Sequence, residues 1–218
     1  MKTINPSELS PMQVQMILQT AVSPRPIALA STIDKNGNVN LSPFSFFNLF
    51  SSNPPILIFS PARRVRDNST KDTLHNVLEV PEVVIGNVNF DMVQQVSLSS
   101  TEYETGVDEF IKSGLTKKSA ELVKPPLIAE SPVNFECKVI EVKPLGNEGG
   151  AGNLVICEVL KIHIREEFLN EEGNLDQKKL DLVSRLGGNW YGRTTAETLF
   201  EVPKPLVTKG IGFDQLPS

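Results

Sequence analysis

Histidine and cysteine are scarce in this sequence: His75, His163, Cys137 and Cys157 are the only ones among 218 residues. So few histidines leave little material for a Ser–His–Asp relay or a His-rich metal centre. Two cysteines make no disulfide framework, and no Cys-x-x-Cys or zinc spacing is present. The absence of long apolar runs excludes a membrane-spanning helix. The opening residues, MKTINPSELSPMQ, hold one lysine and none of the apolar core of a secretory signal. No Gly-x-Gly-x-x-Gly follows a strand, so a dedicated dinucleotide fingerprint is missing. Positive charge is not in excess either. The formal net charge of −5 argues against a general nucleic-acid binder. What is left is 39% hydrophobic and 22% charged, the composition of a compact globular chain. The expectation is a reduced, cytoplasmic protein with one main domain.

The opening reads as a helix. Ser10 can cap it, Pro11 suits the first helical position, and Val14, Ile17, Leu18 and Ala21 recur at helical spacing. The two prolines of Ser23-Pro-Arg-Pro26 end it. Strand signals then dominate: Ile27 to Ile33, a turn at Asp34 to Asn38, and a second run from Val39 to Ser42. Pro55 to Phe59 and Glu82 to Val88 follow. Asn134 to Val142 and Leu154 to Ile164 flank a Gly-rich stretch, Gly146 to Asn153, and read as a hairpin. In the last strand Leu154, Ile156, Leu160, Ile162 and Ile164 share one face and are expected inward, with Lys161 and His163 on the polar side. A switch of inward parity between Phe135-Cys137-Val139 and Ile140-Val142 suggests a bulge or a barrel corner. Short helices are expected near 70–80, 90–98 and 117–123. Many strands, hairpin links and few helices point to a mainly β barrel or sandwich with peripheral helices. The segmentation is a helical extension at 1–22, a domain at 23–194 and an arm at 195–218.

Three segments could carry chemistry. The stretch Ser60 to Thr73 places Arg63, Arg64, Arg66 and Lys71 within nine residues of an acidic chain, beside Ser69, Thr70 and Thr73. At a helix start, free N–H groups and the dipole stabilise an anion such as a phosphate. The alternative is a solvated basic turn with a capping box from Ser69 to Asp72. The second segment, Asn40-Leu-Ser-Pro-Phe-Ser-Phe-Phe-Asn48, interleaves small donors with aromatics. It could line a planar, polar-edged ring, or its phenylalanines could simply be core. In the third, Arg25 is held between two prolines and could reach a ring carbonyl or a phosphate; an isolated arginine is more often just solvated. Cys137 and Cys157 read as buried, inert thiols. Trp190, after the Gly-Gly turn of Arg185 to Arg193, could form an aromatic lid or pack at a dimer interface.

Taken together, Ser23-Pro-Arg-Pro26, Asn40 to Asn48, Lys71-Asp-Thr73 with Asn76, Ala129-Glu-Ser-Pro-Val133, Glu136-Cys137 and Arg185-Leu-Gly-Gly188 with Tyr191 resemble the flavin reductase-like family. The resemblance is to its flavoredoxin-like branch. It implies a split β-barrel of Greek-key type that binds FMN near the interface of a homodimer. Arg25 and Pro26 would border the ring. Asn40, Leu41, Ser42, Pro43, Ser45 and Phe46 would contact the isoalloxazine edge and ribityl chain, largely through backbone groups. Ser60, Lys71, Asp72 and Thr73 would hold the phosphate. No residue is assigned as a catalytic acid or base, and none as a metal ligand. The implied activity is an NAD(P)H-dependent flavin reductase, with NADH or NADPH as a transient donor. The alternative is an FMN-binding electron-transfer protein served by a redox protein partner. A third reading is a non-redox barrel that grips another phosphate.

Overall fold

The computed structural model describes residues 1–104 and 106–202. In chain order the elements are α1 (Pro11–Ala21), β1 (Ala28–Ile33), β2 (Val39–Phe44), β3 (Phe47–Ser52), β4 (Pro55–Phe59) and α2 (Asp72–Glu79). Then come β5 (Glu82–Asn87), α3 (Val93–Ser99), α4 (Glu109–Ser113), β6 (Lys117–Lys118) and β7 (Leu127–Ile128). The long hairpin of β8 (Val133–Pro144) and β9 (Asn153–Ile164) follows, then α5 (Gln177–Leu180), β10 (Val183–Arg185) and β11 (Tyr191–Arg193).

Seven strands form one sheet in the order β2-β1-β5-β8-β9-β4-β3, and every ladder in it is antiparallel. Its two edge strands, β2 and β3, are neighbours in the chain, separated only by Ser45 and Phe46. A flat sheet would hold those edges about 29 Å apart, six strand spacings of about 4.8 Å. The three steps from Phe44 to Phe47 span at most about 11 Å. The sheet is therefore rolled until its edges meet at one corner. Register shifts between Glu136 and Cys137, and between Val139 and Glu141, supply curvature in β8. The bulge expected there is present but one residue later than expected: Val139 is buried and Val142 packs inward, whereas Ile140, expected inward, is exposed.

Alternation of side chains produces two cores. Ala28, Ala30, Phe44, Phe59, Ile85 and Cys157 lie inside the roll, where Leu74 and Val77 of α2 close it. Leu29, Leu41 and Val84 face the other way, under Met92, Val96, Phe110 and Ile128. Small residues at 28 and 30 leave the room that α2 fills.

Three expectations are corrected. Residues 117–123 are not helical: β6 opens the segment, an irregular turn follows, and the N–H groups of 121–123 donate to the buried Glu136 carboxylate. A helix would have to withdraw them. The inward face of β9 is the opposite one, formed by Val155, Cys157 and Val159. Lys161 and His163 continue it under the 119–124 turn, bonded to Glu121 and Glu136, while Leu160, Ile162 and Ile164 are exposed. Acidic partners let polar residues face inward. Helix α2 begins at Asp72 with Lys71 as its cap, and no Ser69 capping box forms, because the Ser69 hydroxyl donates to Asp67 at 2.5 Å. Strand β3 and helix α4 were not anticipated. The arm expected at 195–218 is described only to residue 202.

Candidate functional site

The corner where the sheet edges meet gathers the segments singled out from the sequence. Phe44 ends β2 and stacks on Phe59, with ring centroids 5.2 Å apart. Directly after Phe59, the Ser60 N–H donates to the Phe46 carbonyl at 2.8 Å. The Lys71 ammonium lies 5.0 Å from the Phe44 ring centroid, a cation–π distance. Asn40 and Thr73 are joined by a 2.9 Å hydrogen bond. Arg25 reaches Ser45 Oγ at 3.4 Å. Four stretches drawn from residues 25 to 73 thus form one patch.

Within it, some groups are committed to the fold and others are free. The Arg25 guanidinium donates to the carbonyls of Val22 (2.8 Å), Leu186 (3.0 Å) and Gln19. A buried cation there satisfies the C-terminal carbonyls of α1, as the helix dipole favours. Arg63 is held by Asn68, Arg64 by Glu102, Ser69 and the Thr70 carbonyl, and Arg66 by Asp67 and Glu102. Three of the four cations of the basic stretch therefore have protein partners. Lys71 has no hydrogen-bonding partner among the described residues. Burial, then the Arg64 charge, hold its pKa below the ordinary lysine value, against an opposing pull from Glu102. A half-buried, unpaired ammonium at the start of α2 is primed for an anion.

The backbone follows the same division. Pro43 has no N–H, and the Leu41 N–H is taken by Glu109 Oε2 at 2.9 Å. The N–H groups of Ser45 and Phe46 have no protein acceptor among the described residues. Phe46 is 40% exposed beside them. An adjoining groove of about 510 Å³ is lined by Val14 and Leu18 of α1, by Phe46 and Ala62, and by Gly149 and Gly150. It is a mainly apolar recess next to free donors, the usual make-up of a small-molecule site.

Ser42, Pro43 and Ser45 are partly exposed at the corner, whereas Leu41 is wholly buried and Ser60 nearly so. Pro26 is exposed beside Arg25. Thr73 is wholly buried, with its hydroxyl against Asn40, and the Leu74 N–H donates to the Lys71 carbonyl at 3.0 Å, so of the Lys71-Asp72-Thr73 stretch Lys71 and Asp72 are the partly exposed residues. Two neighbouring segments shape the patch. Residues 146–153 form the hairpin loop expected of them and also clasp the 60–65 turn: Arg63 N–H donates to the Ala151 carbonyl at 2.8 Å. A Cβ at Gly149 would stand 3.0 Å from the backbone of Arg64 and Val65, so only glycine fits this approach. Gly187 plays the same part under α1, where a Cβ would collide with Thr20. Trp190 is 76% exposed at the tip of the β10–β11 hairpin.

Sequence reasoning missed Glu109. It reaches from α4 to Leu41 and, through Oε1 at 3.3 Å, to the Asn40 amide. Nothing in the neighbourhood of position 109 marks it, because the contact depends on how α4 docks on β2.

The mainly β architecture and the sequence both have counterparts among known proteins. Residues 21–182 match the flavin reductase like domain, and the chain belongs to that family. It is 37% identical over 208 residues to the uncharacterized protein BH2278 of Halalkalibacterium halodurans, covering 94% of this chain and 98% of the relative. Among solved structures it is similar to nitrilotriacetate monooxygenase component B from Bacillus cereus (TM-score 0.85, 28% identity, 92% of this chain and 98% of that one). It is also similar to the 2-nitrobenzoate 2-nitroreductase NbaA of Pseudomonas fluorescens (TM-score 0.82, 27% identity, 96% and 100%). Among the described residues no helix is long and apolar enough to cross a membrane.

Proposed function

We propose that this protein is a flavin-dependent oxidoreductase that holds FMN at the β2–β3 corner and is reduced by NADH or NADPH. The observation that carries the reading is the unpaired Lys71 ammonium at the start of α2, within reach of a corner whose Ser45 and Phe46 N–H groups are free. These residues fit the cofactor. The Lys71 ammonium suits its phosphate, the corner donors suit a ring carbonyl, and Phe46 and Pro43 shield the ring from water. Bound flavin would supply the redox chemistry, accepting a hydride and passing electrons on. The chain's own part is to bind, to orient and to place donors near the ring edge where negative charge develops on reduction. No acid or base is required of it.

The rolled sheet is read as the family's split barrel, and the protein as a homodimer. Helix α1 has no buried residue although Met12, Met16, Leu18 and Val22 lie along it, and Leu49, Phe50 and Ile162 are exposed on strands β3 and β9. A second copy would cover apolar surface of this kind.

The experiment is gel filtration with added FMN followed by the visible spectrum, then anaerobic mixing with NADH and with NADPH. Co-eluting flavin that either donor bleaches is the expected result. Flavin that co-elutes but stays oxidised with both donors would favour an electron-transfer protein fed by a protein partner. A colourless protein that retains no flavin and oxidises neither nucleotide with free FMN would end the proposal.

A further inference from the structure

We propose that Glu109 is a positioning residue, which ties the ring-binding edge of β2 to the phosphate-binding start of α2. The inference rests on the flavin reading above and names a residue outside the patch itself.

Glu109 is the first residue of α4 and only 9% exposed. Burial pushes its carboxyl above the usual range, against a lowering bond from the Leu41 N–H, and the charges of Asp72 and Asp108 add to the rise. A carboxylate is seldom placed in such surroundings without a structural use. Here both oxygens are engaged. Oε2 accepts from the Leu41 N–H at 2.9 Å, at the one strand edge of the roll that α4 covers. Oε1 faces the Asn40 side chain at 3.3 Å, and the Asn40 oxygen accepts from Thr73 Oγ1 at 2.9 Å. Thr73 is the second residue of α2, two after Lys71. Asn76, one turn further along α2, donates to Thr32 Oγ1 of β1 at 3.1 Å. A continuous chain of polar contacts therefore runs from α4 through β2 to the helix start that carries Lys71. In a buried setting such a chain fixes relative positions more sharply than apolar packing does.

The direction of the hydrogen bonds gives the test its discrimination. A glutamine at 109 can still accept from the Leu41 N–H and donate to an overturned Asn40, whose nitrogen then donates to Thr73 Oγ1 at 2.9 Å. An alanine supports neither contact. FMN and riboflavin binding would be followed by flavin fluorescence on the full chain, with thermal melting alongside, for wild type, E109A, E109Q and T73V. E109A is expected to weaken FMN about tenfold or more, and E109Q to stay within about threefold of wild type. T73V keeps the buried volume but cuts the chain at α2, so it should weaken FMN and leave riboflavin near the wild-type value. Should E109A fail to fold, the T73V comparison decides alone. A folded E109A with wild-type FMN affinity, an E109Q as weak as E109A, or a T73V with unchanged FMN affinity overturns the inference. Wild-type protein that binds neither flavin refutes the flavin reading itself, which is a separate failure.

Discussion

Replacing Lys71 tests the phosphate end of the site most directly. The ammonium is half-buried over Phe44 and has no hydrogen-bonding partner among the described residues, so in the free protein it contributes little beyond a cation–π contact. That contact is worth about 0.5–1 kcal/mol at exposed sites. K71M keeps the stem over the ring and removes only the charge. With phosphate bound, the lost charge-assisted hydrogen bond amounts to about 1.5–3 kcal/mol. At about 1.4 kcal/mol per decade this is a ten- to hundredfold loss of FMN affinity. A bare charge pair 4 Å apart at an effective dielectric of 20 is worth about 4 kcal/mol, an upper bound from which the cost of drying the ammonium is subtracted. Riboflavin has no phosphate, so its affinity should change by less than about twofold on the same arithmetic. The assay is flavin fluorescence quenching with both ligands at low and high salt, because screening weakens only the phosphate contribution. Equal weakening of FMN and riboflavin, or none of either, would refute the reasoning.

The lowered Lys71 pKa adds a pH signature: phosphate needs the protonated amine, so FMN affinity should be full at neutral pH and fall as pH rises through a value below the ordinary 10.5, with riboflavin as the flat control. Gly149→Ala would press a methyl group against the Arg64–Val65 backbone and cost about 1–3 kcal/mol, lowering Tm by several degrees in a calorimetric scan; an unchanged Tm would show that the clasp gives way freely. Glu136 accepts three N–H groups and His163 Nε2 at 2.5 Å, and these bonds outweigh burial to hold its pKa below the usual 4.5. Its stabilising contribution is present above the unfolded carboxyl pKa and is lost as pH falls through the lowered folded value. Glu136→Ala should erase that acid step and speed hydrogen exchange at 121–123, and an unchanged exchange pattern would exclude the anchoring role. Burial pushes the Cys137 thiol up to about 12, so thiol reagents should label it only after unfolding.

Features set by local chemistry were readable from the sequence, and those set by docking were not. The α1 boundaries follow from Ser10, Pro11 and the Ser23-Pro-Arg-Pro26 break, and Ser10 forms the reciprocal cap with Gln13 that its position allows. The β8–β9 hairpin and its bulge follow from runs of apolar residues around a Gly-rich turn. The inward face of β9 was misread because Leu154, Ile156, Leu160, Ile162 and Ile164 outweigh Lys161 and His163 in any count of hydrophobicity. Only the buried Glu136 and the turn at 119–124 make those polar residues the inner ones. Helix 117–123 failed for the same reason, since its N–H groups answer to a residue in another strand. Arg25 reads from its flanking prolines as a guanidinium held for a ring carbonyl or a phosphate, whereas its partners are the carbonyls of Gln19, Val22 and Leu186, which no spacing in the sequence reveals.

One topological fact explains why the candidate site lies where it does. A seven-stranded antiparallel sheet has two edges with unpaired backbone groups, a hazard that folds must cover or use. Here the edges are chain neighbours, so rolling the sheet brings them to a single corner at Ser45 and Phe46. Pro43 removes one edge donor and Glu109 consumes another, which silences β2 as a template for a further strand. At the corner itself the N–H groups of Ser45 and Phe46 have no acceptor among the described residues, and the Lys71 ammonium beside them has no hydrogen-bonding partner there either. The same economy of hydrogen bonding that protects the edge therefore leaves its free groups concentrated within reach of one ligand. Filling Glu109's place with alanine should disturb both at once, exposing the Leu41 N–H and loosening the start of α2.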